Sequence, residues 1–327
     1  MAMRYRLLAF AAAAGIAGPL SAQTATTTFD SIAGVPAIDK TTQTEDVRFK
    51  SRDSRMTVPV RFSGAGPYQF IVDTGADRSA ISYDLVAKLN LRTQEGTQLH
   101  SLAGISNVKT ARISDVRLTR SPEKSIDAAV LNGSYMGADG IVGVDLLRSQ
   151  RVQFDFEKQT MSIVPATTPE FVRGPDAIVI LARRKNGRLI VTDAIANDQP
   201  VTVVLDTGSE VSIGNRALRA KLLRKNLVDV ANEVELESVT GQKILGEYMI
   251  VRKLEIGGIS LTNLAIVFAD AHTFDQLKLN NQPSLLLGMN AIRAFKKVSI
   301  DFANKKFRVM LPEQSSLDVR FAAAGQP

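Results

Sequence analysis

The chain has 327 residues, 45% of them hydrophobic and 22% charged, which is enough apolar material for two cores rather than one. It contains no cysteine, which excludes disulfides, thiolate catalysis, cysteine-based zinc sites and iron–sulfur clusters; its two histidines, His100 and His272, stand far apart in the sequence without metal-ligand spacing, which argues against a metal centre and Ser-His-Asp chemistry. The formal charge of +7 comes from scattered basic residues, and clusters such as Lys305 and Lys306 lack an interleaved aromatic platform, so the charge points away from nucleic acid.

In chain order, Arg4 and Arg6 precede an apolar or small run from Leu7 to Gly18, followed by Pro19, Leu20, Ser21 and Ala22. This is the layout of a signal peptide cleaved after Ala22, too short for a membrane span, so the expectation is an exported protein, periplasmic or extracellular, without a stable membrane anchor. Residues 23–45 are Thr-rich and aperiodic and read as a flexible arm or propeptide. Short runs rich in Val, Ile and Phe, at Val58 to Phe62, Phe70 to Val72, Val152 to Phe156 and Val201 to Leu205, predict strands bounded by turn residues. Helices are predicted at Ser82 to Asn90, at Asn215 to Lys225, and in short segments beginning at Asp145 and Asn290. Residues near 165–175 read as a linker and 313–327 as a frayed tail, which leaves 46–167 and 168–312 as two lobes.

The lobes repeat one another. PYQFIVDTGA at 67–76 matches PVTVVLDTGS at 200–209 at an offset of 133, and LHSLAG from Leu99 matches LESVTG from Leu236 at 137. GIVGVDLL at 140–147 matches LLLGMNAI at 285–292 at 145, and VQFDFEKQTMSIV from Val152 matches VSIDFANKKFRVM from Val298 at 146. Slowly growing offsets indicate one duplicated unit with small insertions in the second copy. Each copy places Asp-Thr-Gly at the end of an apolar strand, at Asp73, Thr74, Gly75 and at Asp206, Thr207, Gly208. One such tripeptide is weak, because Asp and Gly are common turn residues; two in matching positions of a repeat are strong.

With these motifs the chain resembles the aspartic proteases, specifically a bacterial, single-chain relative of the retropepsin-like enzymes. The resemblance covers roughly residues 46–312 and extends to the apolar-apolar-Gly elements Ile141, Val142, Gly143 and Leu286, Leu287, Gly288, which in that family close the active-site loop. It implies an all-β fold of two similar β-barrel lobes with a few short helices, related by a pseudo-twofold axis with the cleft between them. It further implies an endopeptidase that uses no cofactor and no metal and acts on a peptide or protein substrate. Asp73 and Asp206 would form the catalytic dyad, with Thr74 and Thr207 locking the loops and Gly75 and Gly208 allowing close approach. Two carboxylates about 3 Å apart share a proton, so one can activate water while the other hydrogen-bonds the scissile carbonyl. Flap hairpins are expected with tips at Ala103, Gly104, Ile105 and at Thr240, Gly241. Ala76 stands where Ser209 stands in the second copy, and a hydroxyl there lowers the pKa of a neighbouring carboxylate, so Asp73 is expected to hold its proton more readily than Asp206. Val144 and Met289 occupy the place where retroviral enzymes carry an arginine, so that salt bridge is missing. The alternative reading is an inactive peptide-binding module of the same fold in the cell envelope. The expected assembly is a monomer, an intrachain pseudo-dimer, with a homodimer as the other arrangement.

Overall fold

The computed structural model describes residues 47–48, 51–52, 55–62, 64–118, 124–170, 177–224 and 233–312. The expected signal peptide at 1–22, arm at 23–45 and tail at 313–327 lie outside the described residues, as do residues 171–176 at the end of the linker.

Each half forms an eight-stranded sheet, and the two sheets have the same order. In the first half the strand Ala65–Val72 pairs in parallel with Gly140–Val142, which runs antiparallel to Ala80–Ser82, which in turn lies parallel to Lys124–Leu131. The long hairpin Thr93–Ser101 with Gly104–Arg117 follows at the edge. The strand Arg55–Phe62 pairs both with Ala65–Val72 and with the far end of Gly104–Arg117, so the pairing returns on itself. In the second half Gln199–Leu205, Ser284–Leu287, Ser212–Gly214, Ile259–Ala269 and the hairpin Glu233–Glu237 with Lys243–Ile256 repeat that order, and Arg188–Ala196 closes the circuit onto Lys243–Ile256. The central strands are covered on both faces, which is why Phe70 to Val72 and Ser284 to Leu287 are continuously buried rather than alternating.

The helices begin where a side chain can accept the first free main-chain donors. Ser82 Oγ accepts from Leu85 N to start Tyr83–Lys88, and Asn215 Oδ1 accepts from Leu218 N to start Arg216–Arg224 at the matching place in the repeat. Val144–Leu147 and Met289–Ile292 start one residue before the predicted points. Two helices that sequence patterning did not indicate, Gly133–Met136 and His272–Gln276, are too short to show a 3.6-residue period.

A third, six-stranded sheet joins the halves, each of which supplies three strands. At its centre Gln150–Asp155 runs antiparallel to Lys297–Asp301, which sets Arg151 opposite Asp301 and Asp155 opposite Lys297. Both cross-strand pairs are ion pairs, with Arg151 Nη2 3.0 Å from Asp301 Oδ2 and Lys297 Nζ 3.1 Å from Asp155 Oδ2. Phe154 and Phe302 at this junction are fully buried, so the lobes share one core and the floor of the cleft is rigid.

Candidate active site

The strands ending at Val72 and Leu205 deliver Asp73 and Asp206 to the junction of the lobes. Main-chain bonds from Asp73 N to Val142 O (3.0 Å) and from Asp206 N to Leu287 O (3.1 Å) tie the start of each loop to the apolar-apolar-Gly strand beside it. The other end is tied by Val144 N to Ala76 O and Met289 N to Ser209 O, both 2.8 Å. These are the places of Ile141, Val142, Gly143 and of Leu286, Leu287, Gly288: they form the parallel neighbour of each loop-bearing strand and its turn into a short helix.

The two loops grip one another through their threonines. Thr74 Oγ1 donates to Leu205 O (2.9 Å) and accepts from Thr207 N (3.0 Å), while Thr207 Oγ1 donates to Val72 O (2.6 Å) and accepts from Thr74 N (3.1 Å). Both side chains are buried, so each bond satisfies groups that water cannot reach, at a net gain of about 1 kcal/mol apiece and a larger loss if one partner is removed. The result is one rigid unit made from both lobes.

Gly75 and Gly208 lie where that grip brings the loops closest. A β-carbon on Gly75 would stand 2.6 Å from Asp206 Oδ1, and one on Gly208 would collide with the Asp73 carboxyl. Each carboxyl also accepts a main-chain bond from its own loop, Gly75 N to Asp73 Oδ1 at 2.7 Å and Gly208 N to Asp206 Oδ1 at 3.0 Å. Asp206 is pushed up to about 7. Burial is the largest cause, the Asp73 charge and hydrogen bond add to it, and Arg188 with Gly208 N pulls the other way.

Ser209 does not play the part expected of it. Its hydroxyl donates to Val211 O at 2.7 Å, so its one proton is spent on the main chain and none is left for Asp206. The reason for expecting Asp206 to be the more acidic partner therefore fails.

Several residues around the dyad carry no motif of their own. Behind each loop a serine closes the turn: Ser79 Oγ accepts from Gly143 N and donates to Asp145 Oδ1, and Ser212 Oγ accepts from Gly288 N and donates to Asn290 Oδ1. Both serines end the repeated segments IVDTGADRS and VLDTGSEVS, so the repeat itself marks them. Arg188 is almost fully buried and crosses between lobes, donating through Nε to Gly75 O at 2.6 Å and pairing with Asp77 at 3.2 Å. Gln276 also reaches Asp77, at 2.8 Å. The counterpart Glu210 pairs with Arg293. These two arginines give the acidic residues after the loops a cation, although Val144 and Met289 hold the position where the resemblance led us to look for one.

The two hairpins meet each other and rest on opposite lobes. The N-terminal flap turns at Leu102 and Ala103, with Ser101 paired to Gly104 and Ile105 exposed beyond it. The C-terminal flap turns through Ser238 to Gln242, with Thr240 and Gly241 at the bend. Leu102 packs against the apolar cluster of Ile190, Val204, Ile213, Leu236 and Val267 in the C-terminal lobe, and Val239 packs against Ala80, Ala129, Leu131, Met136 and Ile141 in the N-terminal lobe. Ser106 and Gln242 join the flaps at 3.3 Å, and Thr240 and Ser101 at 3.4 Å.

A comparison with curated proteins found no match. A family model described as Aspartyl protease matches residues 58–146 and 192–291, one match in each lobe, each spanning an Asp-Thr-Gly loop and the flap above it. With more than half of the chain matched, and the match divided just as the two sheets are, the chain belongs to the aspartyl protease family in a two-lobed form.

Proposed function

We propose that this protein is an aspartic endopeptidase in which Asp73 and Asp206 hydrolyse a peptide bond through an activated water. The observation that carries the reading is the pairing of two carboxyls from two interlocked Asp-Thr-Gly loops, one of them pushed up to about 7 first by burial and then by the other. In the monoprotonated pair Asp73 is the base, taking a proton from water as its oxygen attacks the carbonyl carbon. Asp206 is the acid, donating to the carbonyl oxygen. The tetrahedral intermediate then collapses as a proton passes to the leaving amine, and the pair regains its starting state. Activity should fall as pH rises past about 7, where Asp206 loses its proton. One chain supplies both aspartates, so no second copy is required, and we read the first 22 residues as directing this peptidase out of the cytoplasm.

The test is a mixed peptide library incubated from pH 3 to 8 with wild type, Asp73→Asn and Asp206→Asn, with and without a statine-type inhibitor. Cleavage lost in both variants and in the inhibited sample supports the reading. A folded protein that binds the peptides and cuts none would replace it with the peptide-binding module.

A further inference from the structure

The chain has two histidines, 172 positions apart, and the fold places them against each other. His100 Nδ1 lies 2.9 Å from His272 Nε2, with ring centroids 5.1 Å apart and ring planes 12° from parallel. His100 is on the first strand of the N-terminal flap, and His272 opens the short helix His272–Gln276 of the opposite lobe. The main-chain N–H of His272 also donates to Leu102 O at the flap tip, 2.8 Å away. The other flap has no such arrangement at its seat, where the ring of Tyr135 covers Gly241.

We propose that His100 and His272 are positioning residues that hold the N-terminal flap closed over the Asp73/Asp206 cleft and release it when both rings are protonated. The proposal rests on the reading of that cleft as a peptidase site. Two neutral imidazoles share one hydrogen bond, one ring donating and the other accepting, and a single added proton leaves an N–H···N bond in place. A second proton removes the last acceptor, so two N–H groups and two positive charges face one another at hydrogen-bond distance. The charged groups around the pair do not undo this. Asp275, 3.8 Å from His272 Nδ1, meets the outer nitrogen of that ring and offers no acceptor between the rings. Asp270, just before the helix, is engaged by Arg216, and across the hairpin His100 faces the uncharged Ile105.

Opening requires both rings to be charged, so the closed flap belongs to the higher-pH state and opens as pH falls. Closure excludes water and completes the site, so turnover is lost with it. Asp206 sets the opposite limit, because the acid of the dyad must keep its proton. The histidine pair and the dyad thus bracket one working window.

The cysteine-free chain allows a direct test, with spin labels on Asn107→Cys in the flap and Ala303→Cys on an exposed turn of the C-terminal lobe. The label distance is measured from pH 7.5 to 4.5 in the full chain with wild-type histidines, and with His100→Asn or His272→Gln, whose amide nitrogens stand where the paired ring nitrogens were. We expect a narrow distribution at pH 7.5 that broadens on acidification with both histidines present and stays narrow in either variant. We expect kcat/KM of the variants to remain within roughly threefold of wild type at pH 7 while the acid limb moves down by about one pH unit or more. The double variant His100→Ala/His272→Ala should show the broad distribution at every pH. A distance insensitive to pH, or one that changes equally in wild type and variants, overturns the proposal. Absence of cleavage at any pH would sink the peptidase reading alone, since the label distances still decide whether the flap is held.

Discussion

Behind the N-terminal loop Ser79 donates to a carboxylate, Asp145, whereas behind the C-terminal loop Ser212 donates to an amide, Asn290. Asp77 meets an arginine from across the cleft, and Glu210 meets one from its own lobe. One flap rests on an imidazole pair and the other on a tyrosine ring. In the first comparison the main-chain partners are retained while the side-chain chemistry has changed. Main-chain donors and acceptors must be satisfied for the loop to hold its shape, and any side chain with an oxygen in the right place will serve. Charge is therefore free to diverge between lobes, and it diverges among the residues that follow the two Asp-Thr-Gly loops.

The comparison is sharpest where the lobes should be equal. Asp73→Asn and Asp206→Asn are each expected to reduce kcat by about a thousandfold or more, because the base and the acid act in the same step; substantial activity in either variant would mean that one lobe works without the other. The ion pairs of the shared sheet should be unequal. The Arg151 and Asp301 side chains are 5% and 1% exposed, against 22% for Lys297 in the matching pair. Burial alone would raise the pKa of Asp301, but its bonds to Asn304 and the Arg151 charge outweigh it and hold this carboxyl below its usual value. That stability is present above the ordinary carboxylate range and is lost as pH falls through the depressed value. Arg151→Met is expected to cost about 3–5 kcal/mol in urea unfolding at pH 7, because it removes the buried cation that pairs with both Asp301 and Glu170. Lys297→Met should cost nearer 1 kcal/mol.

Asp206 gives a prediction of opposite sign. Its raised pKa means that ionising it costs the folded state more than the unfolded one, a cost that is absent near pH 4 and builds as pH approaches 7. Asp206→Asn is therefore expected to raise Tm by about 2–4 °C at pH 7.5 and to leave it unchanged at pH 4 in thermal denaturation. The smallest effect belongs to Asp145→Asn, which gives the N-terminal lobe the amide of its counterpart. With Oδ1 able to accept both Ser79 bonds as Asn290 accepts those of Ser212, the variant should lose less than about 1 kcal/mol and retain its activity. A larger loss would show that the charge itself matters there.

What the sequence displayed and what it concealed divide along a physical line. The growing offsets between copies located both Asp-Thr-Gly loops, the strands behind them and the flaps, because strand pairing and turn chemistry are local and leave a pattern. Ser79 and Ser212 were visible in the same segments. Arg188 was not, since one buried arginine on a strand makes no motif; only its match with Arg55, at the same offset of 133, hints at it. His100 and His272 looked unrelated because their meeting depends on how one lobe's flap lies across the other lobe. The Ser209 hydroxyl was misjudged for the reverse reason: its proton goes to a local main-chain acceptor, Val211 O, two residues away.

The exchange of flap tips has a consequence for what the cleft will admit. Leu102 and Val239 already fill apolar depressions, each lined by a cluster of the opposite lobe. A visiting side chain therefore competes with a tethered rival whose effective concentration is roughly millimolar, set by the length of the hairpin rather than by anything in solution. A small apolar molecule that fills one depression displaces one tip and gains little. An extended chain that fills both, and offers the freed flaps its own main chain to bond, displaces the two together. On the peptidase reading, the threshold for admission is thus a matter of length, and the tethered tips disfavour short fragments.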